Sequence, residues 1–345
     1  MMFRCLTLSA AVIITACAAP PPPPPPPEAP SSLIITAPDG VGLGATRWPG
    51  ETGGPGVVLL GVAGPNDRWM SFGELSPFAA LAEALSDAGV HVLAYDDRGV
   101  GESGGDWTAV NFEAMARDAQ AAAERLAAMP GVDPDRIGFF GLSEGSGVAL
   151  HAAARGHGAF LILGSPPGLA GEAALRARLV AALDAQGEGD AVKAQYLAAF
   201  DRFAQMSRAG DLEALSAFLS GPGAALVPRY AFVPREPEQP AALFASPSHV
   251  AQLAFDPAPL LAAINQPVLV LGGRLDPVLD PAVNHPPLLA GLANAKGVVI
   301  EDANHLLIPA QTGSPAEYPT LSEDLHPDVV EAVLDWMEAE GLLRR

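Results

Sequence analysis

From residue 33 onward, short apolar runs alternate with longer stretches in which apolar positions recur at helical spacing. Runs of Val, Leu and Ile without alternating polar positions predict strands that are buried on both faces, as in a parallel sheet. Strands that alternate with helices are the sequence form of βαβ units. We therefore predict an α/β fold, with a mostly parallel central sheet and helices on both of its faces.

The predicted elements can be placed along the chain from this pattern. The strands fall at residues 33–36, 43–48, 57–60, 90–95, 137–140, 159–163, 268–271 and 297–301. The helices fall at residues 74–87, 112–129, 144–155, 281–292 and 327–340. Because Asp39-Gly40 is a turn pair between the first two strands, we expect these strands to pair antiparallel.

The pattern changes between residues 166 and 264, where helical periodicity and many prolines occur without a clear strand. A helical segment inserted between two strands of a sheet is typical of a cap over a site, so we predict a helical cap insertion here. Phe200, Phe203, Met206 and Phe218 are candidates for its pocket lining, although such residues at helical spacing more often form a core.

The N-terminal segment is predicted to be a targeting signal. Arg4 precedes an apolar stretch over residues 5–16, which is too short to span a bilayer. The sequence Ile-Thr-Ala-Cys at 14–17 resembles the lipobox of bacterial lipoproteins, which implies cleavage before Cys17 and acylation of that cysteine. The alternative is an ordinary secretory signal that is cleaved near Ala18 or Ala19. We expect an exported lipoprotein, anchored to a membrane of the bacterial cell envelope on its periplasmic face, and otherwise a periplasmic or secreted protein.

A polyproline tract separates this signal from the predicted fold. Pro20 to Pro27 is extended and stiff, which is typical of a spacer. The expected organisation is a signal peptide over residues 1–16, a Pro-rich linker over residues 17–32, and an α/β domain over residues 33–345 with its cap at about 166–264.

Charge and cysteine content exclude several classes of function. The formal net charge is −20, with no cluster of Lys and Arg, which argues against nucleic acid as a partner and against a basic membrane-binding patch. The two cysteines are Cys5 in the predicted signal and Cys17 at the predicted anchor. The predicted domain therefore has no thiol for a disulfide, a cysteine nucleophile or a thiolate metal site.

The strongest local motif is Gly-Leu-Ser-Glu-Gly at residues 141–145, between an apolar run and a small-residue helix. A serine becomes a useful nucleophile when a tight turn projects it from the sheet edge towards a base. Glycines two residues on either side allow that turn, because larger side chains would collide with the neighbouring strand and helix. This context is typical of the nucleophile elbow of α/β-hydrolases, and it predicts Ser143 as the nucleophile.

Chain order selects the other members of a catalytic triad. In α/β-hydrolases the acid and then the histidine follow the serine, with the histidine after the last strand. Among the seven histidines, His305 has this position. Asp276 follows the preceding strand at a suitable distance and is the predicted acid, with Asp280 as the alternative. The acid would hold the imidazole in its useful tautomer.

An oxyanion would be held by backbone amides. The Glu144 amide at the start of the helix is the predicted first donor. The second is expected in the loop after an earlier strand, at Ala63, with Val62 and Gly64 as alternatives.

Several further segments resemble the EstD-like branch of the α/β-hydrolase esterases. They are residues 64–68 (GPNDR), 95–103 (YDDRGVGES), 141–145, 304–305 (NH) and 312–318 (TGSPAEY). The resemblance implies hydrolysis of short-chain carboxylic esters by the triad, without a metal or an organic cofactor. The chain departs from the family where Gly61-Val62 replaces His-Gly or Ser-Gly, where Leu142 replaces a common histidine, and where Ser146 replaces a third glycine.

We therefore predict a serine esterase that acts on short-chain acyl or aryl esters through an acyl-enzyme, with a small-molecule ester as its partner. A thioesterase or a peptidase could use the same triad, and a non-catalytic envelope lipoprotein could bind acyl compounds with the same fold. Arg98, in the loop after a strand, is expected to hold that loop by ion pairing rather than to touch substrate.

Overall fold

The computed structural model describes residues 29–226, 240–322 and 324–344. The predicted signal peptide, Cys17 and most of the predicted linker lie outside these ranges. Within them, no helix has both the length and the apolarity that crossing a membrane would require.

The described residues form an eight-stranded sheet with the spatial order β1-β2-β4-β3-β5-β6-β7-β8. Its strands are β1 (Ser31–Thr36), β2 (Gly42–Trp48), β3 (Gly54–Leu60), β4 (His91–Tyr95), β5 (Val132–Leu142), β6 (Leu161–Gly164), β7 (Val268–Gly273) and β8 (Ala295–Ile300). From β4 to β8 all neighbouring strands are parallel, whereas β2 is antiparallel to both β1 and β4. The predicted mostly parallel sheet is confirmed.

The first hairpin turns at the predicted site. Ser31 pairs with Arg47, and Thr36 pairs with Gly42, so the two strands close around Asp39-Gly40. Gly40 has φ +87°, a conformation that glycine adopts at little cost.

Helices cover the sheet and fill the connections between strands. They are α1 (Pro77–Asp87), α2 (Phe112–Ala127), α3 (Glu144–Ala153), α4 (Gly171–Ala185), α5 (Asp190–Ala209), α6 (Leu212–Leu219), α7 (Pro240–Phe244), α8 (Pro247–Ala254), α9 (Ala258–Leu261), α10 (Pro281–Gly291) and α11 (Pro327–Ala339). The first helix begins three residues later than predicted. Pro77 occupies its first turn, where a missing amide hydrogen costs nothing, and Phe72 bridges Leu75 before it.

Alternate residues of the central strands enter cores on opposite faces of the sheet. Val57 and Leu59 pack with α1 and α11 on one face, while Val58 and Leu60 pack with α2 and α3 on the other. This period of two explains why the strands read as continuous apolar runs. The prediction of helices on both faces is confirmed.

The helices α4 to α9 lie between β6 and β7, in the interval predicted to be a cap. Helices α4 to α8 have an apolar core of their own, in which Phe200 and Phe203 are fully buried and Phe218 is nearly so. Met206 is partly buried against the same cluster. These four candidate lining residues therefore belong to a core of the inserted helices.

Candidate active site

The predicted nucleophile lies on a sharp turn between β5 and α3. Ser143 has φ +56° and ψ −114°, an unusual conformation for a residue with a side chain, and such strain is found most often at functional positions. A Cβ on Gly141 would lie 2.3 Å from the Gly145 carbonyl oxygen, and one on Gly145 would lie 2.2 Å from the Leu60 carbonyl oxygen. Only glycine fits at either position, which is the physical reason for the motif.

The buried hydroxyl of Ser146 stabilises this turn by hydrogen bonding. It is fully buried and donates to the carbonyl oxygens of Gly141 at 2.7 Å and Gly164 at 3.1 Å. The Ser143 amide also donates to the Gly164 oxygen, at 2.8 Å. The serine that departs from the family pattern therefore ties the turn to strand β6.

The structure brings the three predicted triad residues together. The Nε2 atom of His305 lies 3.1 Å from the Ser143 hydroxyl oxygen, and its Nδ1 atom lies 2.8 Å from Oδ2 of Asp276. All three side chains are buried. Serine, imidazole and carboxylate thus form one continuous hydrogen-bonded chain at the carboxyl edge of the sheet.

The loop after β8 places the imidazole. The carboxamide oxygen of Asn304 accepts the amides of Leu306 at 2.9 Å and Ile308 at 3.2 Å, so this side chain closes the turn around His305. Leu307 within the turn has φ +60°. Sequence reasoning identified the Asn304-His305 pair as part of a family resemblance, and the structure gives Asn304 a physical task.

Asp276 is fixed as a hydrogen-bond acceptor. Its Oδ1 accepts the amides of Val278 at 2.7 Å and Leu279 at 2.9 Å, which leaves Oδ2 for His305. Burial by itself would raise the pKa of this carboxyl, but the charge and hydrogen bond of His305 and the two amides outweigh burial and hold the pKa below its usual range. The carboxylate form is therefore favoured in the folded protein.

The alternative acid has a different task. Asp280 is exposed and accepts the Ala282 amide at 2.8 Å, as the N-cap of α10. The structure brings Asp276 to His305 and leaves Asp280 at the start of the helix.

The loop after β3 approaches the nucleophile closely. The carbonyl oxygens of Leu60 and Gly61 both come near Gly145, and Glu144 is the first residue of α3. Ala63 in that loop is exposed, and among the described residues its amide donates to no backbone or side-chain oxygen. Ala63 and Glu144 thus stay the predicted donors.

The side chain of Glu144 makes a contact that sequence reasoning missed. Its Oε1 accepts from Nε2 of Gln252, on α8, at 2.7 Å. Burial raises the pKa of this carboxyl to about 7, and the nearby charge of Asp97 adds to the effect. The two partners are 108 residues apart in the chain, so no local pattern could have paired them.

Arg98 is engaged by two carboxylates. It contacts Asp118 at 2.7 Å and Asp39 at 2.6 Å, which links the loop after β4 to α2 and to the first hairpin. Both hydrogen bonds raise its already high pKa. This geometry fits the expected ion-pairing role of Arg98.

No group of three or more His, Cys, Asp and Glu side chains in the described part of the chain is arranged to hold a metal ion.

Comparison with known families gives a match over most of the chain. A family model described as alpha/beta hydrolase fold matches residues 56–309. An uncharacterized protein of Mycobacterium tuberculosis, Rv2307c, is 37% identical over 134 residues, which cover 39% of this chain and 44% of that protein. The polyketide transferase claH of Penicillium crustosum is 40% identical over 75 residues, which are 21% of this chain and 24% of that protein. The chain thus aligns with less than half the length of these relatives.

Solved structures of similar architecture cover nearly the whole chain. The esterase Pf2001 of Pyrococcus furiosus has a TM-score of 0.55 at 17% identity, over 90% of each chain. A thermophilic esterase of Thermogutta terrifontis has a TM-score of 0.52 at 22% identity, over 91% of this chain and 100% of that one. At these identities the likeness establishes a shared fold.

Proposed function

Because the chain belongs to the α/β-hydrolase family, we propose that it is a serine hydrolase that cleaves carboxylic esters through an acyl-enzyme intermediate. The observation that carries the proposal is the hydrogen-bonded chain from Ser143 through His305 to Asp276. A binding protein has no need of a serine, an imidazole and a buried carboxylate in this order. The esterases among the structural neighbours are consistent with this reaction.

In the first half of the proposed reaction, Nε2 of His305 takes the hydroxyl proton as Ser143 attacks the ester carbonyl carbon. Asp276 keeps the Nδ1 proton in place and stabilises the imidazolium that forms. The carbonyl oxygen becomes an oxyanion, which accepts from the amides of Glu144 and Ala63. The tetrahedral intermediate then expels the alcohol, which takes the proton from His305.

In the second half, a water molecule takes the place of the alcohol. His305 removes a proton from the water, which attacks the acyl carbon, and the collapse of the second tetrahedral intermediate returns the proton to Ser143 and releases the acid. Both halves use the same base and the same oxyanion donors. Any change that displaces one of these groups should therefore slow acylation and deacylation together.

A fluorophosphonate probe tests the proposal directly, because it labels serines that have been activated by a base. We expect the wild-type protein to be labelled and to hydrolyse p-nitrophenyl acetate. Ser143→Ala should lose both properties, while the control Ser220→Ala, at an exposed serine that ends α6, should keep them. Absence of labelling in a folded wild-type protein would favour a non-catalytic binding protein.

The proposed substrates are short-chain acyl or aryl esters, in line with the EstD-like segments. A series of p-nitrophenyl esters of increasing acyl length would give the chain-length preference. Cleavage of thioesters or peptides in the absence of ester hydrolysis would contradict the esterase proposal and favour the thioesterase or peptidase alternatives.

We further propose that the protein is exported and held in the cell envelope by acylation of Cys17. The support is the lipobox-like sequence and the proline-rich spacer. Two or more acyl chains give stable membrane anchoring, each buried methylene contributing about 0.8 kcal/mol. Metabolic labelling with palmitate should mark the wild-type chain and be lost in Cys17→Ser, and labelling that survives this change would refute the anchor.

A further inference from the structure

The loop after β3 is attached to the end of β4 at two points. Arg68 donates to both carboxylate oxygens of Asp96, and its backbone amide donates to Asp96 Oδ1 at 2.8 Å. Both side chains are buried, and Glu102 accepts from the same guanidinium at 2.6 Å. This ion pair fixes the far end of the loop that carries Ala63.

The second attachment lies two residues earlier in the loop. Asp97 lies two residues beyond the end of β4. Its Oδ2 atom accepts from the backbone amide of Asn66 at 2.9 Å and from the side-chain nitrogen of Asn66 at 3.0 Å. The same side-chain nitrogen lies 2.6 Å from the Val62 carbonyl oxygen and 2.8 Å from the Gly64 carbonyl oxygen, so its two hydrogens are shared among these two oxygens and Asp97. Asn66 therefore holds the carbonyl groups on both sides of Ala63.

The contact with Val62 determines the direction of one particular donor. The Val62 carbonyl and the Ala63 amide belong to the same peptide group, which is planar and trans, so the two groups point in opposite directions. A hydrogen bond that holds the carbonyl on one side thus aims the Ala63 N–H to the other side. In the described ranges the Ala63 amide donates to no protein oxygen, which fits this arrangement.

We propose that Asn66 is a positioning residue of the oxyanion hole, which aims the Ala63 amide by holding the Val62 carbonyl and is itself held by Asp97. This inference rests on the proposed function, because it assigns a task in the same reaction. Asn66 does not touch the substrate. It acts through the peptide group between Val62 and Ala63.

The surroundings of Asp97 suit this task. Its side chain lines the cavity beneath the loop together with Glu144, and no cation among the described residues pairs with it, since the neighbouring Arg98 is engaged by Asp39 and Asp118. The Oδ2 atom of Asp97 accepts from both nitrogens of Asn66, so this oxygen does not compete with Asn66 for the carbonyl oxygens of the loop. Asp97 can therefore fix the rotamer of Asn66 without altering the direction of the Val62 bond.

The test compares Asn66→Ala with wild type in the hydrolysis of p-nitrophenyl acetate and in inhibition by phenylboronic acid, which forms a tetrahedral adduct with an active serine. A misplacement of about 1 Å in a catalytic group can cost about 100-fold in rate. We expect kcat to fall about 10- to 100-fold, KM to change less than about threefold, and the inhibition constant of the boronic acid to rise by a factor similar to the loss in kcat.

The control is Asn294→Ala. Asn294 also donates its side-chain amide to a carbonyl oxygen, that of Asn265, at 2.8 Å, but far along the chain from the loop. Its kinetic constants should stay within about twofold of wild type. A merely structural role for Asn66 would lower the melting temperature and leave the boronic acid affinity of the folded fraction unchanged, and that result would overturn the proposal.

Substitutions at Asp97 test the positioning role of Asn66 independently. Asp97→Asn can still offer an oxygen to Asn66 and should retain most activity, whereas Asp97→Ala should resemble Asn66→Ala. The double variant should be little worse than either single variant, because both act through one contact. If Asn66→Ala does not fold, Asn66→Ser is expected to show the same loss in kcat to a smaller degree, and a folded variant with wild-type kcat and boronic acid affinity would refute the positioning role.

Failure of the proposed function gives a different pattern. In that case the wild-type protein itself would be neither labelled by the fluorophosphonate nor active on the ester. Failure of the Asn66 inference alone would leave an active, labelled wild type and an inactive Ser143→Ala, together with an Asn66→Ala variant of unchanged kcat.

Discussion

Replacing the partly buried carboxyl of Glu144 by an amide should stabilise the fold at alkaline pH. In Glu144→Gln the side chain can still accept from Nε2 of Gln252, as Oε1 of Glu144 does at 2.7 Å. The charge that burial disfavours is removed. The expected gain in stability is therefore electrostatic and must depend on pH.

The magnitude follows from the pKa of this carboxyl. It rises from the ordinary value of 4.5 in the unfolded chain to about 7 in the folded protein, chiefly through burial. Because the folded form binds the proton more tightly, deprotonation of Glu144 lowers the free energy of unfolding as the pH rises from about 4.5 to about 7. Above about pH 7 this loss of stability is complete. At 1.36 kcal/mol for each pH unit the full loss is about 3 kcal/mol.

The assay is urea unfolding of wild type and Glu144→Gln at about pH 5 and about pH 8. The variant should gain about 1 kcal/mol at the lower pH and about 3 kcal/mol at the higher one. Glu124→Gln is the matched control, since Glu124 also accepts from a glutamine, Gln120, at 2.8 Å, but on the surface. Equal free-energy differences between wild type and Glu144→Gln at the two pH values would refute the role of burial.

Three further predictions concern other sites. Asp276→Asn should lower kcat about 10⁴-fold, because the amide no longer holds the imidazole in the tautomer that accepts the Ser143 proton. Asp280→Asn should keep kcat close to that of wild type. Ester hydrolysis by the two purified variants decides which residue is the catalytic acid. His249 is buried against Phe203 and Phe244, and burial lowers its pKa to about 4. The neutral imidazole therefore contributes fully to stability above about pH 6.5, and this contribution is lost as the pH falls towards 4. In urea unfolding, the stability of His249→Phe should fall less than that of wild type between these pH values, and an equal fall would contradict the prediction. Gly141→Ala should lose several kcal/mol of stability and most activity, because its Cβ would lie 2.3 Å from a backbone oxygen. Gly189→Ala should keep full activity and lose less than about 1 kcal/mol in thermal melting, because a Cβ there meets nothing within 4 Å and only the N-cap of α5 is weakened.

Local chemistry explains why much of the fold and of the site could be predicted. The apolar runs predicted the strands because side chains alternate between two buried faces, and the Gly141 to Gly145 motif predicted the sharp turn because only glycine tolerates the close backbone approach. The order of Ser143 and His305 relative to the strands was likewise readable, since parallel strands end at one edge of the sheet.

Other features depend on distances that the sequence does not contain. Asp276 and Asp280 are both acidic and both follow β7, and the course of the backbone after the strand brings Asp276 to His305 and leaves Asp280 at the start of α10. The apolar residues of the inserted helices have helical spacing whether they line a pocket or form a core. Their packing against one another made them a core.

The sequence by itself determined the strand and helix pattern, the elbow around Ser143 and the position of His305, because each depends on residues that are close in the chain or on their order. Tertiary structure alone decided which carboxylate meets His305, that Gln252 on α8 reaches Glu144, and that Asn66 and Asp97 hold the loop of Ala63. These contacts join residues that are 29, 108 and 31 positions apart. Only the packing of the complete sheet and its helices brings such residues within hydrogen-bonding distance.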